Sequence, residues 1–254
     1  MTTTVRTATA PRATGDPARR TALVAGTLYL ITFASSIPAL ILIGPVLDNP
    51  DYIVSSGADT RVLLGCFLDL VNALTCVGTA VALFPVVRRQ NEATALGFVT
   101  SRMFESAVIM IGVVSLLAVV TLRQDFAGAA GDDAAGLVTI GQALVATRDW
   151  TFLLGPGLMA GINALLLGSL MYRSGLVPRI IPTIGLIGAP LLILATIATF
   201  FGHNEQLSVW SAIATLPVAA WELSVGTYMV VKGFRPTAIT SITRPDGEPQ
   251  PSVG

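Results

Sequence analysis

Six apolar runs limit what this chain can become. They cover residues 21–47, 62–87, 101–122, 150–172, 180–201 and 208–231. Each is near the roughly 20 residues that carry a helix across the ~30 Å hydrocarbon core of a bilayer. At that depth no water is present to bond a free amide, so only helices and closed barrels can cross. A barrel would show short strands of alternating polarity, whereas these runs are continuous. The sequence therefore predicts an all-α fold, a polytopic transmembrane helical bundle of six spans. Composition supports this, because 53% of the residues are hydrophobic and 12% are charged. Soluble domains carry about twice that charged fraction.

Basic residues set the expected orientation. With six crossings and a cytoplasmic N-terminus, 12 of the 15 Lys and Arg residues fall on the cytoplasmic side. Only Arg61, Arg123 and Arg148 fall outside. The positive-inside rule then predicts both termini in the cytoplasm. The expected layout is a polar cytoplasmic tail over residues 1–20, a six-span domain over residues 21–234 and a disordered cytoplasmic tail over residues 235–254. The first run is too long for the core of a cleaved signal peptide, so it reads as an anchor. The longest outer loop, residues 123–149, reads as flexible or as a short surface helix.

Three carboxylates fall within the spans: Asp69, Glu105 and Glu222. A charge at bilayer depth costs about 3 kcal/mol on insertion scales, so such groups face a partner or a polar cavity. Arg102 lies three positions before Glu105, on the same helix face. At the membrane interface the pair would snorkel; with an earlier helix start, near Ala93, both would lie deep. Glu222 sits near mid-span behind Pro217 and has no basic residue within reach in its own helix. It needs a partner from another helix. Asp69 and Asn72 share a face of the second span, and Asn163 lies near the middle of the fourth. Asparagines at such depth bond across helices. The expected intramembrane polar site is therefore Glu222, Glu105, Arg102, Asn163, Asp69 and Asn72. Near the start of the fourth span, Gly155-Pro156-Gly157 predicts a kink or a locally unwound turn.

Other chemistry finds no foothold in the sequence. No HExxH, GxSxG or phosphate-loop motif occurs, so no catalytic residue and no cofactor is assigned. The one histidine, His203, falls in a polar loop, and no metal site is expected. Cys66 and Cys76 are about 15 Å apart on one helix, too far for a disulfide, and read as small buried side chains. A net charge of zero gives no reason to expect nucleic acid as a partner.

Several motifs recur together. An Arg-Arg start leads into GTLYLITF from Gly26, then Arg102-x-x-Glu105, then Asn163 with Leu167-Gly168. After these come Ser174 to Arg179 (SGLVPR) with Gly185 and Gly188, and Pro217-x-x-x-Trp221-Glu222 with Gly226 and Lys232-Gly233-Phe234. Together they resemble the domain-of-unknown-function family numbered 4386, bacterial six-helix integral membrane proteins. The resemblance implies six spans in a bacterial plasma (inner) membrane and carries over no activity.

Three functions fit these residues. The first is a protein that binds or moves a small molecule or ion through a polar pocket inside the membrane. The second is a structural or regulatory membrane protein acting through a partner, with the acids merely paired. The third is an intramembrane enzyme on a lipid-like substrate, for which no acid pair of suitable geometry is visible. The bilayer is the expected partner in all three, and the sequence leaves the oligomeric state open.

Overall fold

A computed structural model describes residues 17–55, 59–128, 130–206, 208–236 and 238–239. Among these residues the fold is all-α. The helices are α1 (Pro17–Asp48), α2 (Thr60–Val87), α3 (Glu92–Asp125), α4 (Asp132–Phe152), α5 (Ala160–Ser174), α6 (Ile180–Phe200) and α7 (Val209–Val231). A 3-10 turn at Tyr52–Val54 follows α1, and a wide π turn at Leu153–Met159 joins α4 to α5 without a break. Six of the resulting helices are long and apolar enough to cross a membrane, with α4, the π turn and α5 counting as one rod of 43 residues. This is a multi-pass membrane protein.

One boundary is decided among the sequence alternatives and another differs from the expectation. Helix α3 starts at Glu92, beside the earlier start near Ala93 rather than at residue 101, because the Asn91 side chain caps it by accepting from the Thr94 amide at 2.8 Å. The outer loop expected over residues 123–149 is mostly helix α4, continuous with the fourth span. Asp132 and Asp133 stand in its first turn, where carboxylates complement the helix dipole. Leu137 and Gly141 bury one face, with Gly141 against Ile53. That face is too sparsely apolar to register as a span, which hid the helix in the sequence.

The spans form a closed ring. Each packs on its neighbour in the chain, and α7 returns to pack on α1. Small residues bring the closing helices together. A Cβ on Gly26 would stand 2.7 Å from the Gly226 carbonyl oxygen, and one on Gly185 would stand 2.6 Å from the Trp221 ring. Arg19 adds a clamp, donating to the Met229 and Val230 carbonyls at the end of α7.

The two ends of the ring are filled differently. At the end where the chain enters α1 and leaves α7, large side chains from around the ring meet in one core. Leu83, Phe98, Leu167, Met171, Trp221 and Met229 are essentially inaccessible there. Arginines crowd this end, so it is called the arginine-rich end below. At the opposite, loop-bearing end the core is built by α1 to α4 and the 3-10 turn, around Ile43, Val46, Val62 and Leu116. Helices α6 and α7 contribute no buried residue to that second core.

The sequence drew the six-span domain to residue 234 and began the tail at 235. The Arg235 amide donates to the Leu176 carbonyl at 2.9 Å, and Ala238 is buried in the first core. At the other terminus the tail was drawn over residues 1–20, but Pro17 to Arg20 form the first turn of α1; the remainder of the two expected tails, residues 1–16, 237 and 240–254, lies outside the described residues.

Candidate functional site

The early start of α3 decides the depth of its charges. Arg102 stands ten residues and Glu105 thirteen residues past Glu92, or ~15 and ~20 Å along the axis. Of the two depths the sequence allowed, the structure takes the deep one. Arg102 is 2% exposed and Glu105 4%. Both are enclosed by neighbouring helices.

Arg102 spans the centre of the ring. Its Nη1 donates to Glu105 Oε2 at 3.0 Å on its own helix. Its Nη2 donates to Glu222 Oε1 at 2.6 Å on α7 and to the Tyr29 hydroxyl at 3.1 Å on α1. The Cys76 sulfur on α2 accepts from Nη1 at 3.6 Å. The guanidinium also stands over the Tyr29 ring, 5.2 Å from its centroid, a geometry that favours a cation. Asn163 of α5, 1% exposed, donates through Nδ2 to Glu105 Oε2 at 2.7 Å. One arginine thus touches groups from four helices, and Asn163 adds a fifth through Glu105.

The backbone fixes where these groups point. Trp221 lies flat against Gly185, which orients the next residue, Glu222, toward the centre. Ser106 donates to the Ala73 carbonyl at 2.9 Å, tying α3 to α2 beside the cluster. Thr32 and Thr75 hydroxyls meet at 3.1 Å, joining α1 to α2 at a similar depth.

The charges do not balance. Two carboxylates face one guanidinium, so with all three ionised the cluster carries one negative charge. The hydrogen bonds are also incomplete: Arg102 Nε and Asn163 Oδ1 are buried and have no partner. Among the described residues no hydrogen bond reaches Glu105 Oε1 or Glu222 Oε2.

A cleft of about 160 Å³ lies against this cluster. Its walls include Thr32, Asn72, Glu105, Pro156, Leu192 and Glu222. Every span of the ring supplies part of the lining, so the cleft is the hollow at the ring's centre.

Of the six residues expected to converge, five do. Glu222, Glu105, Arg102 and Asn163 are bonded together, and Asn72 lines the cleft. Asp69 is the exception and does not join them. It lies three residues, or ~4.5 Å, nearer the loop-bearing end than Asn72, and its nearest charge is Arg148 on α4. Arg148, expected in an outer loop, is buried, with its guanidinium 4.4 Å from the Phe152 ring centroid. The helical extension of α4 placed it there. Sequence reasoning missed Tyr29 and Cys76 as members of the cluster. A tyrosine inside an apolar run was a usable signal for the first; nothing distinguished the second.

A second polar group holds the loop-bearing end. Arg123 pairs with Asp59 and donates to the Ser55 carbonyl at 3.1 and 3.0 Å. Tyr52 donates to the same carboxylate at 3.1 Å, and burial pushes its phenol above the usual tyrosine range. These residues fasten the chain between α1 and α2 onto α3. They form a clasp.

Among the described residues no group of three or more His, Cys, Asp or Glu side chains could hold a metal ion. A family model described as a domain of unknown function, DUF4386, matches residues 24–233. Neither the curated proteins nor the solved structures yield a match.

Proposed function

The chain belongs to the DUF4386 family, and from that premise we propose that it binds or moves a small solute carrying positive charge in the cleft beside Arg102, Glu105 and Glu222. The carrying observation is the convergence of two carboxylates on one arginine at the floor of a hollow. An added cation would complete the charge count and engage the free oxygens Glu105 Oε1 and Glu222 Oε2. A primary ammonium suits the site, because its three donors match acceptors presented from different helices.

Purely structural glue accounts for the Arg102 bonds, since buried charges must be paired. It gives no reason for a hollow beside them or for carboxylate oxygens that no hydrogen bond reaches. With Arg102 and Arg148 set aside as buried within the bundle, eleven basic residues fall on the arginine-rich side against two on the other, which supports placing that end in the cytoplasm. The host compartment we propose is a bacterial plasma membrane, the setting that the family resemblance implies.

The test uses Trp221, which is buried and adjoins Glu222. Replacing the exposed Trp150 and Trp210 by phenylalanine leaves it as the only indole. The purified protein is titrated with methylammonium or sodium at constant ionic strength, with N-methylglucamine as the bulky control. A saturable change in emission with one of the small cations, lost in Glu222→Gln, is expected. Identical emission with all three would reject the reading.

A further inference from the structure

The central cleft does not end at the charges. A second cavity, of about 140 Å³, lies beyond it toward the loop-bearing end. Pro156, Leu192 and Thr215 line both cavities, so the two abut at these three side chains. The second cavity reaches Gln206 and Ser211, beside the connection from α6 to α7. Its remaining polar lining is Thr196 and Thr199. These hydroxyls and the amide are set among apolar side chains, Phe152, Leu153 and Ala195 with Leu192, which make up most of the wall, and no charged side chain lines it. In the other direction the hollow is stopped by Tyr29, Phe98 and Trp221, all buried in the first core.

We propose that the solute reaches the charged site from the loop-bearing end through this passage, whose apolar wall is studded with hydroxyls, with Pro156, Leu192 and Thr215 as its constriction. This inference rests on the cation-site reading above and adds the route to it. The chemistry suits passage of a small cation. Hydroxyl oxygens replace part of its hydration, while the absence of a fixed counter-charge keeps it from stopping before the two carboxylates. The fold explains why the passage lies on this side. Helices α6 and α7 stay out of the second core; α6 meets the π turn where Thr196 faces Gly157, and the cavity lies among the π turn, α6 and α7. Pro156 sits within that turn. A wide turn displaces the helix wall locally, and such turns cluster at functional places.

The experiment labels introduced cysteines with a membrane-impermeant, cationic methanethiosulfonate in sealed vesicles. The reagent is applied to the side that modifies a His203→Cys marker, since His203 is exposed on the 201–208 connection. Native Cys66 and Cys76 are buried, so the unaltered protein is the blank. Thr199→Cys probes the outer cavity and Thr32→Cys the inner one, with Leu83→Cys as the sealed control. Both threonine positions are expected to react at least an order of magnitude faster than Leu83→Cys. Adding Thr215→Trp is expected to slow Thr32→Cys by a similar factor and leave Thr199→Cys unchanged; Thr215→Ser is expected to slow neither. Thr32→Cys reacting only from the opposite side, or equally fast with the tryptophan in place, would overturn the route. Labelling requires no bound solute. A route confirmed by labelling alongside a silent cation titration would therefore reject the cation reading alone.

Discussion

The two ends of the ring solve the same packing problem in opposite ways. At the arginine-rich end, glycines at 26, 185 and 226 let helices touch, and large side chains fill what is left. At the loop-bearing end the packing stops halfway round. Helices α1 to α4 share a core beside a cavity of about 220 Å³ lined by Val46, Tyr52, Ile53 and Gly141, a polar clasp closes the first loop, and a second cavity opens on the α6–α7 side. The charged cluster lies between the sealed part and the hollow part. The contrast teaches that a membrane bundle can concentrate its tight packing at one end and keep a polar site reachable from the other.

That contrast can be broken by substitution, beginning with its boundary. Arg102→Met leaves Glu105 and Glu222 buried without a cation. Breaking a buried pair in this way costs about 3–5 kcal/mol, and this variant should show the largest fall in melting temperature of the purified protein. Next comes the sealed end. Leu83→Ala should cost about 2–5 kcal/mol through the cavity it opens. Gly226→Val should cost about 1–3 kcal/mol, since its Cβ would stand 2.9 Å from the Tyr29 side chain. In the clasp, Tyr52→Phe removes one hydrogen bond to Asp59 and should cost about 0.5–1.5 kcal/mol, seen as a small fall in melting temperature. The hollow end should be the most tolerant. Gly157→Ala places its Cβ no closer than 3.5 Å to any neighbour, and Thr199→Ala removes only one wall hydroxyl; each should stay within about 0.5 kcal/mol. Equal losses at the two ends would erase the distinction.

The six crossings were legible because apolar length is a one-dimensional property. Convergence of Glu222 with Arg102 was half legible. Burial without a partner in its own helix demanded a partner elsewhere, but which helix supplied it depended on ring closure. Ring closure depends on which glycines face one another, as Gly26 and Gly226 do, and a lone sequence does not pair faces. Asp69 looked equivalent to Glu105 in depth and type. It parts from the cluster because one more turn along α2 changes its neighbours, and its nearest cation, Arg148, sits on a helix that the sequence concealed. The hollow itself left no trace in the pattern, since Thr196, Thr199 and Thr215 resemble any small residues within a span.

The account stands or falls on Arg102 reaching across the ring to Glu222, and a double-mutant cycle measures that contact. The stabilities of the native protein, Arg102→Met, Glu222→Met and the double variant are compared in one detergent. A coupling well above the ~0.5 kcal/mol additivity limit is expected, with the double variant more stable than Arg102→Met alone. Strict additivity would contradict the contact and the site built on it.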